Sequence, residues 1–134
     1  MEQTIEVAAA VIEQAGRVLI CQRPAGKSCG LLWEFPGGKR EQGETLQACA
    51  ARECREELGV GLAVRGLLAE ATHVYPDRTV HLSFFRAEIL DGTVRRLEHN
   101  DVRWVPAAEL TRYPFCPADE EVVRRLAGRE TADG

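Results

Sequence analysis

The chain has 134 residues, with 17 Lys and Arg against 21 Asp and Glu, a formal net charge of −4. Its length suits one domain, residues 1–134, with a real core, and its apolar and charged fractions (45% and 28%) are those of an ordinary soluble protein. The acidic balance argues against stable nucleic-acid binding, which usually needs a basic patch, so an anionic substrate needs a metal and local Arg or Lys. Met1-Glu2-Gln3-Thr4 carries no signal-peptide pattern, and no apolar run approaches membrane-spanning length. Five Cys (21, 29, 49, 54 and 116), odd in number and without CxxC spacing, read as free thiols in a reducing cytosol, so a cytoplasmic protein is expected. The three His are scattered and show no zinc pattern. Oligomeric state is left open.

Ile5 to Ile12 is apolar, flanked by charge, and reads as a buried strand. Gln14-Ala15-Gly16-Arg17 is a turn, and Val18 to Gln22 completes a hairpin. Arg23 to Ser28 breaks the pattern as a loop, with Arg23 placed either to face a ligand or to sit on the surface. Leu31 to Pro36 follows, extended at Phe35 because Pro36 comes next. Trp33 and Phe35 suit either a base sandwich or the core. Gly37 to Glu44 is a Gly-rich charged loop that lets backbone approach a ligand closely. Thr45 to Leu58 holds neither Gly nor Pro and favours helix, with Gly59 as its stop.

Leu62 to Val74 and Thr79 to Leu90 are long β-prone runs joined by a Tyr75-Pro76-Asp77-Arg78 turn. Asp91-Gly92-Thr93 is a further turn, and Leu97 to Asp101 is polar. Val102 to Val105 is a last short strand, and Pro106 to Leu110 opens a helical turn. Asp119 to Ala127 is a final helix with Val122, Val123 and Leu126 on its apolar stripe. Asp119 lies in its first turn, where the helix dipole favours a carboxylate. Arg129 to Gly134 reads as a frayed tail.

The helix from Thr45 carries the chemistry. Glu53, Glu56 and Glu57 project within roughly one third of a turn of each other. Ionised carboxylates this close repel. Either Arg52 and Arg55 answer them on a solvated face, or a hard cation such as Mg²⁺ or Mn²⁺ sits among them.

The spacing is more specific. Gly38, five residues, Glu44, seven residues, then Arg52-Glu53-Cys54-Arg55-Glu56-Glu57-Leu58-Gly59-Val60 resembles the Nudix box, G-x5-E-x7-R-E-U-x-E-E-x-G-U, with U bulky and apolar. Cys54 departs from the usual Leu, Ile or Val, but buried Cys behaves as a small hydrophobe. Glu34-Phe35-Pro36-Gly37-Gly38-Lys39 is similar to the EFPGGK segment of the MutT-like members. The likeness covers nearly the whole chain. It implies an α/β/α sandwich, a mixed sheet between the box helix and the C-terminal helix; propensity alone supports only a generic α+β fold.

The resemblance also implies an activity: Mg²⁺-dependent hydrolysis of a nucleoside triphosphate to the monophosphate and pyrophosphate, with Mn²⁺ as substitute. By resemblance Glu53 is the general base. Glu56, Glu57, the Gly37 carbonyl and Glu98 are metal ligands. Glu44 and Arg52 orient the site, and Lys39 touches phosphate. Arg23, Glu34, Phe35 and Asp119 face the base and sugar. The family's position of Asp119 reads the base edge, so capping and base reading are rival roles. Oxidised guanine (8-oxo-dGTP) ranks first as substrate, and CTP or a modified dCTP second. Ser28 stands where some members carry His. A non-catalytic nucleotide-sensing domain ranks low, because such domains usually lose box carboxylates. Removal of pyrophosphate from RNA ends would want a more basic chain.

Overall fold

The structure, a computed structural model, describes residues 3–133. In chain order it contains β1 (Gln3–Gln14), β2 (Arg17–Gln22), β3 (Trp33–Glu34), β4 (Gly37–Lys39), α1 (Leu46–Leu58), β5 (Gly61–Val74), β6 (Arg78–Asp91), β7 (Asp101–Pro106) and α2 (Glu120–Asp133). Two 3₁₀ turns, Ala107–Arg112 and Pro117–Asp119, lead from β7 into α2. Among the described residues no helix is long and apolar enough to cross a membrane.

β1 is the spine of the sheet. Gln3 to Ile12 run parallel to Arg78 to Ala87 of β6, and β5 closes that side antiparallel to β6. On the other side β1 meets β4 over Val7 to Ala9 and forms a hairpin with the start of β2. β2 then pairs antiparallel with both β3 and β7. The sheet is therefore mixed.

Side chains alternate across a strand, and β1 uses both faces. Ala8, Ala10 and Ile12 join Cys49, Ala50, Cys54 and Leu58 of α1 in one core. Ala9 and Val11 join Val122, Val123 and Leu126 of α2 in the other. The expected α/β/α sandwich is what this alternation builds. Small residues on β1 let both layers approach closely. Each fully buried Leu or Ile contributes roughly 1.5–3 kcal/mol. Cys54 is wholly buried among these apolar neighbours and fills its position as a small hydrophobe.

Several boundaries differ from the sequence reading. Gly37 to Lys39 is a strand, where a loop is expected. Gly37 lies opposite Ala9, so close that a methyl group on it would overlap the Ala8 carbonyl oxygen. Only Gly permits that approach. The last helix begins at Glu120, after the 3₁₀ turn that contains Asp119. Helical backbone continues to Asp133, because Arg129 to Asp133 holds no breaker. That overturns the frayed tail as far as Asp133; Gly134 lies outside the described residues.

Candidate active site

The acidic helix is held firmly at both ends. Thr45 Oγ1 accepts the Ala48 amide at 3.1 Å, and Gly59, at φ 73°, closes the far end by donating to the Arg55 carbonyl. α1 buries one face on β1, and this fixes where its carboxylates point. Glu57 lies on the buried face and is 8% exposed. Glu53, one turn earlier, sits against Gly38; a methyl there would collide with its carboxylate. Glu56 is on the solvent side.

Arg52 organises the remaining acids. Its Nε and Nη2 donate to Glu44 Oε2 and Oε1 at 2.6 and 3.0 Å, a two-pronged pair. Nη1 donates to Glu53 Oε1 at 3.0 Å and lies 3.4 Å from Glu56 Oε1; Nη2 also donates to the Lys39 carbonyl at 3.1 Å. The Arg52 guanidinium holds the Glu44 carboxyl down to about 2, with the Glu41 amide helping. Lys39 ends β4 with an exposed side chain beside this cluster.

Glu57 behaves in the opposite sense. Burial raises its pKa far above the carboxylate range, and the neighbouring carboxyls of Glu53, Glu34 and Glu98 raise it further. Its Oε1 is buried and receives no hydrogen bond. An unpartnered buried carboxylate oxygen with the carboxyls of Glu53, Glu34 and Glu98 around it fits a hard divalent cation. Gly37 lies on β4, and Glu98 lies in the loop before β7, near enough for its carboxyl to raise that of Glu57. As the side chains stand, no three His, Cys, Asp or Glu among the described residues are grouped as ligands of one ion. Glu56 is turned instead toward Arg52.

The other end of the site lies at β3. Arg23 Nη1 donates to Glu34 Oε1 at 3.0 Å, and its Nε donates to the Ser28 carbonyl at 2.6 Å. Phe35 is 3% exposed, its ring between Phe84 and Phe115 at centroid distances of 6.1 and 5.5 Å. Its ring is thus part of the core, where the sequence reading set it against the base. Asp119, 4% exposed, accepts the Phe35 amide on Oδ2 at 3.0 Å. Asp119 lies in the first turn of the Pro117–Asp119 3₁₀ segment, as expected, and its Oδ2 also ties the turn before α2 to the residue after β3. Burial raises the Asp119 carboxyl to about 7, against the opposing pull of the Phe35 amide.

Sequence reasoning missed His99. It is buried, with Nε2 3.2 Å from Glu34 Oε2 and 3.4 Å from Glu57 Oε1. Its only sequence signal is its place beside Glu98 in a polar loop.

A Gly-Gly strand, a helix that sets Glu53 against it, and an Arg–Glu clamp beside both define the class: an α/β/α sandwich with an acidic helix packed on its sheet. Residues 7–125 match the model of the NUDIX domain, and the chain belongs to that family. It is 39% identical to the CTP pyrophosphohydrolase of Escherichia coli (strain K12) over 115 residues, 86% of this chain and 85% of that protein. It is 30% identical to the 8-oxo-dGTP diphosphatase of the same organism over 123 residues, 91% of this chain and 95% of that one. The solution structure of the E. coli ORF135 protein superposes with a TM-score of 0.84 at 35% identity, covering 98% of this chain and 94% of the other.

Proposed function

We propose that this chain, as one Nudix domain, hydrolyses a nucleoside triphosphate between its α and β phosphates, releasing the monophosphate and pyrophosphate, with Mg²⁺ as cofactor and Mn²⁺ as substitute. The observation that carries this reading is Glu57, a buried carboxylate with an unpartnered oxygen beside Glu53. Glu56, Glu57, Glu98 and the Gly37 carbonyl are the groups that would hold the cation. Bound there, it supplies neutralising charge to the phosphate oxygens. Glu53, packed on Gly38 and fixed by Arg52, accepts a proton from the attacking water. Glu44 holds Arg52 in place, and Lys39 meets a phosphate as a point charge.

Base recognition falls to the end that holds Arg23, Glu34, Phe35 and Asp119. Asp119 Oδ2 is committed to the Phe35 amide, which leaves the other oxygen for a base. In its neutral form Asp119 offers a donor and an acceptor, which suits an oxidised guanine. We place 8-oxo-dGTP first. The ionised form accepts only, which suits the cytosine amino group. The 39% identity to a CTP pyrophosphohydrolase supports CTP, or a modified dCTP, as the second reading.

A panel of canonical, oxidised and methylated nucleotides, ranked by kcat/KM with product identification, tests both. Highest kcat/KM on 8-oxo-dGTP supports the first, and on a cytosine nucleotide the second. Orthophosphate and a diphosphate as primary products would contradict both.

A further inference from the structure

His99 belongs to neither group of residues assigned above, yet it touches both. Its loop is pinned at several points. The Arg95 and Leu97 amides donate to the Leu58 and Glu57 carbonyls at the end of α1, at 2.8 and 3.3 Å. The Asn100 amide donates to the Gln22 carbonyl at 2.9 Å, and Asn100 Nδ2 donates to Gln22 Oε1 at 2.6 Å. Arg96 Nη1 closes the loop on the His99 and Asn100 carbonyls, both at 3.2 Å. The imidazole is therefore held by α1 on one side and β2 on the other.

Placed so, Nε2 sits between a carboxylate of each end of the site, 3.2 Å from Glu34 and 3.4 Å from Glu57. Nδ1 is buried and unpartnered. Placing the ring hydrogen on Nε2 leaves an unpaired acceptor at Nδ1, which is less costly than an orphaned N–H. The same N–H then donates to Glu34 Oε2 and lies beside Glu57 Oε1 without bonding it, which leaves that oxygen open. Glu34 is already paired with Arg23 through its other oxygen. The result is one line of contacts, Arg23–Glu34–His99–Glu57, running from the β2–β3 loop to the buried face of α1.

We propose that His99 is a positioning residue that holds Glu57 in its cation-facing orientation and joins that carboxylate to the nucleotide end through Glu34. This rests on the reading of Glu57 as a metal ligand. Partners of ligating groups fix their orientation, and losing one typically costs 10–100-fold in metal affinity. Gln places an amide N–H near the position of Nε2, whereas the shorter Asn does not reach it.

The test is Mn²⁺ binding without nucleotide, followed by magnetic resonance of the free ion, on wild type, His99→Gln, His99→Asn and Glu57→Gln, alongside the KM for nucleotide. The expected result is near wild-type Kd for His99→Gln and a loss of about 10-fold or more for His99→Asn and Glu57→Gln. KM should rise in His99→Asn and recover in His99→Gln. Wild-type Mn²⁺ affinity in His99→Asn, with Glu57→Gln weakened, overturns the proposal alone. Equal loss in His99→Gln and His99→Asn also overturns it, since packing rather than the N–H then matters. Unchanged affinity in Glu57→Gln removes the metal reading, and this proposal with it. If His99→Asn does not fold, Glu34→Ala asks the question from the other end: a change in Mn²⁺ Kd of about fivefold or more supports the coupling, and no change overturns it.

Discussion

Asp119 Oδ2 accepts the backbone amide of Phe35 at 3.0 Å, across 84 residues of sequence. That bond ties the start of α2 to β3 and places a buried acid beside the core aromatics. Its pKa of about 7 exceeds the ordinary 3.8 because burial disfavours the charge. The sign follows directly. The folded state binds the proton more tightly than the unfolded one, so stability is full below about pH 3.8 and declines as pH rises to about 7. Asp119→Asn removes the titration and keeps the accepting oxygen. Thermal melts should show the variant gaining on wild type between pH 4 and pH 8, by on the order of 2–4 kcal/mol. Parallel pH curves would remove Asp119 as the source. The same variant should keep turnover of 8-oxo-dGTP and lose that of cytosine nucleotides; unchanged preference across the panel would take Asp119 out of the base site.

Gly37 and Gly38 are adjacent but should fail differently. A methyl at Gly37 meets the backbone of Ala8, which cannot move without breaking β1–β4 pairing. Gly37→Ala should therefore destabilise the fold by about 1–3 kcal/mol or more. The atoms nearest a methyl at Gly38 are those of the Glu53 carboxylate, the far end of a flexible side chain. Gly38→Ala should keep most of its melting temperature and lose kcat. Comparing melts with kcat for the two variants checks this; a fully active Gly38→Ala would show that Glu53 need not sit there.

Glu53→Gln keeps shape and helix propensity while removing a basic carboxylate. Loss of a general base lowers kcat about 10²-fold or more, with the fold intact by circular dichroism. If activity barely changes, Glu98 is the next group to replace.

Glu44→Gln weakens the two-pronged hold on Arg52, which then has Glu53, Glu56 and Glu41 as its remaining acidic neighbours. Activity should fall roughly 10–100-fold, the usual cost of losing a positioning partner. The Glu44 contribution to stability is present above the ordinary carboxylate range and is lost as pH falls through about 2. Acid melts of wild type and Glu44→Gln should converge at low pH.

Chelation should abolish turnover, and Mg²⁺ or Mn²⁺ should restore it. A cation bound to the folded state alone, at 100 times its Kd, adds about 2.7 kcal/mol of stability. A melting temperature indifferent to Mg²⁺, together with full activity in excess chelator, would sink the metal assignment.

The box helix was legible because its rules are local. Thr45 is its N-cap and Gly59 its left-handed stop, and the run between them has no breaker. The β5–β6 hairpin was legible from its β-prone runs and its Tyr75–Arg78 turn, where the Tyr75 amide donates to the Arg78 carbonyl at 2.7 Å. β4 was not, because Gly-Gly has no strand propensity and its pairing depends on distant Ala8 and Ala9. Asp119 could be placed in a helical turn, but not against Phe35. His99 carried no spacing signal, and only the loop's ties to α1 and β2 give it a position.

The parallel pairing of β1 with β6 also bears on how the chain is made. Each of these pairs joins residues a constant distance apart in sequence (Gln3 with Arg78, 78 − 3 = 75). At roughly 5–20 residues per second of synthesis, β1 waits roughly 4–15 s for this neighbour to emerge. Through that interval Ala8-Ala9-Ala10-Val11-Ile12, wholly apolar, has its β6-facing edge open, because β2 and β4 pair along the opposite edge. The strand that both helices will pack against is thus the nascent chain's exposed liability. A ribosome-bound chain that ends before β6 should be held by a chaperone, and one that extends past Asp91 should be released.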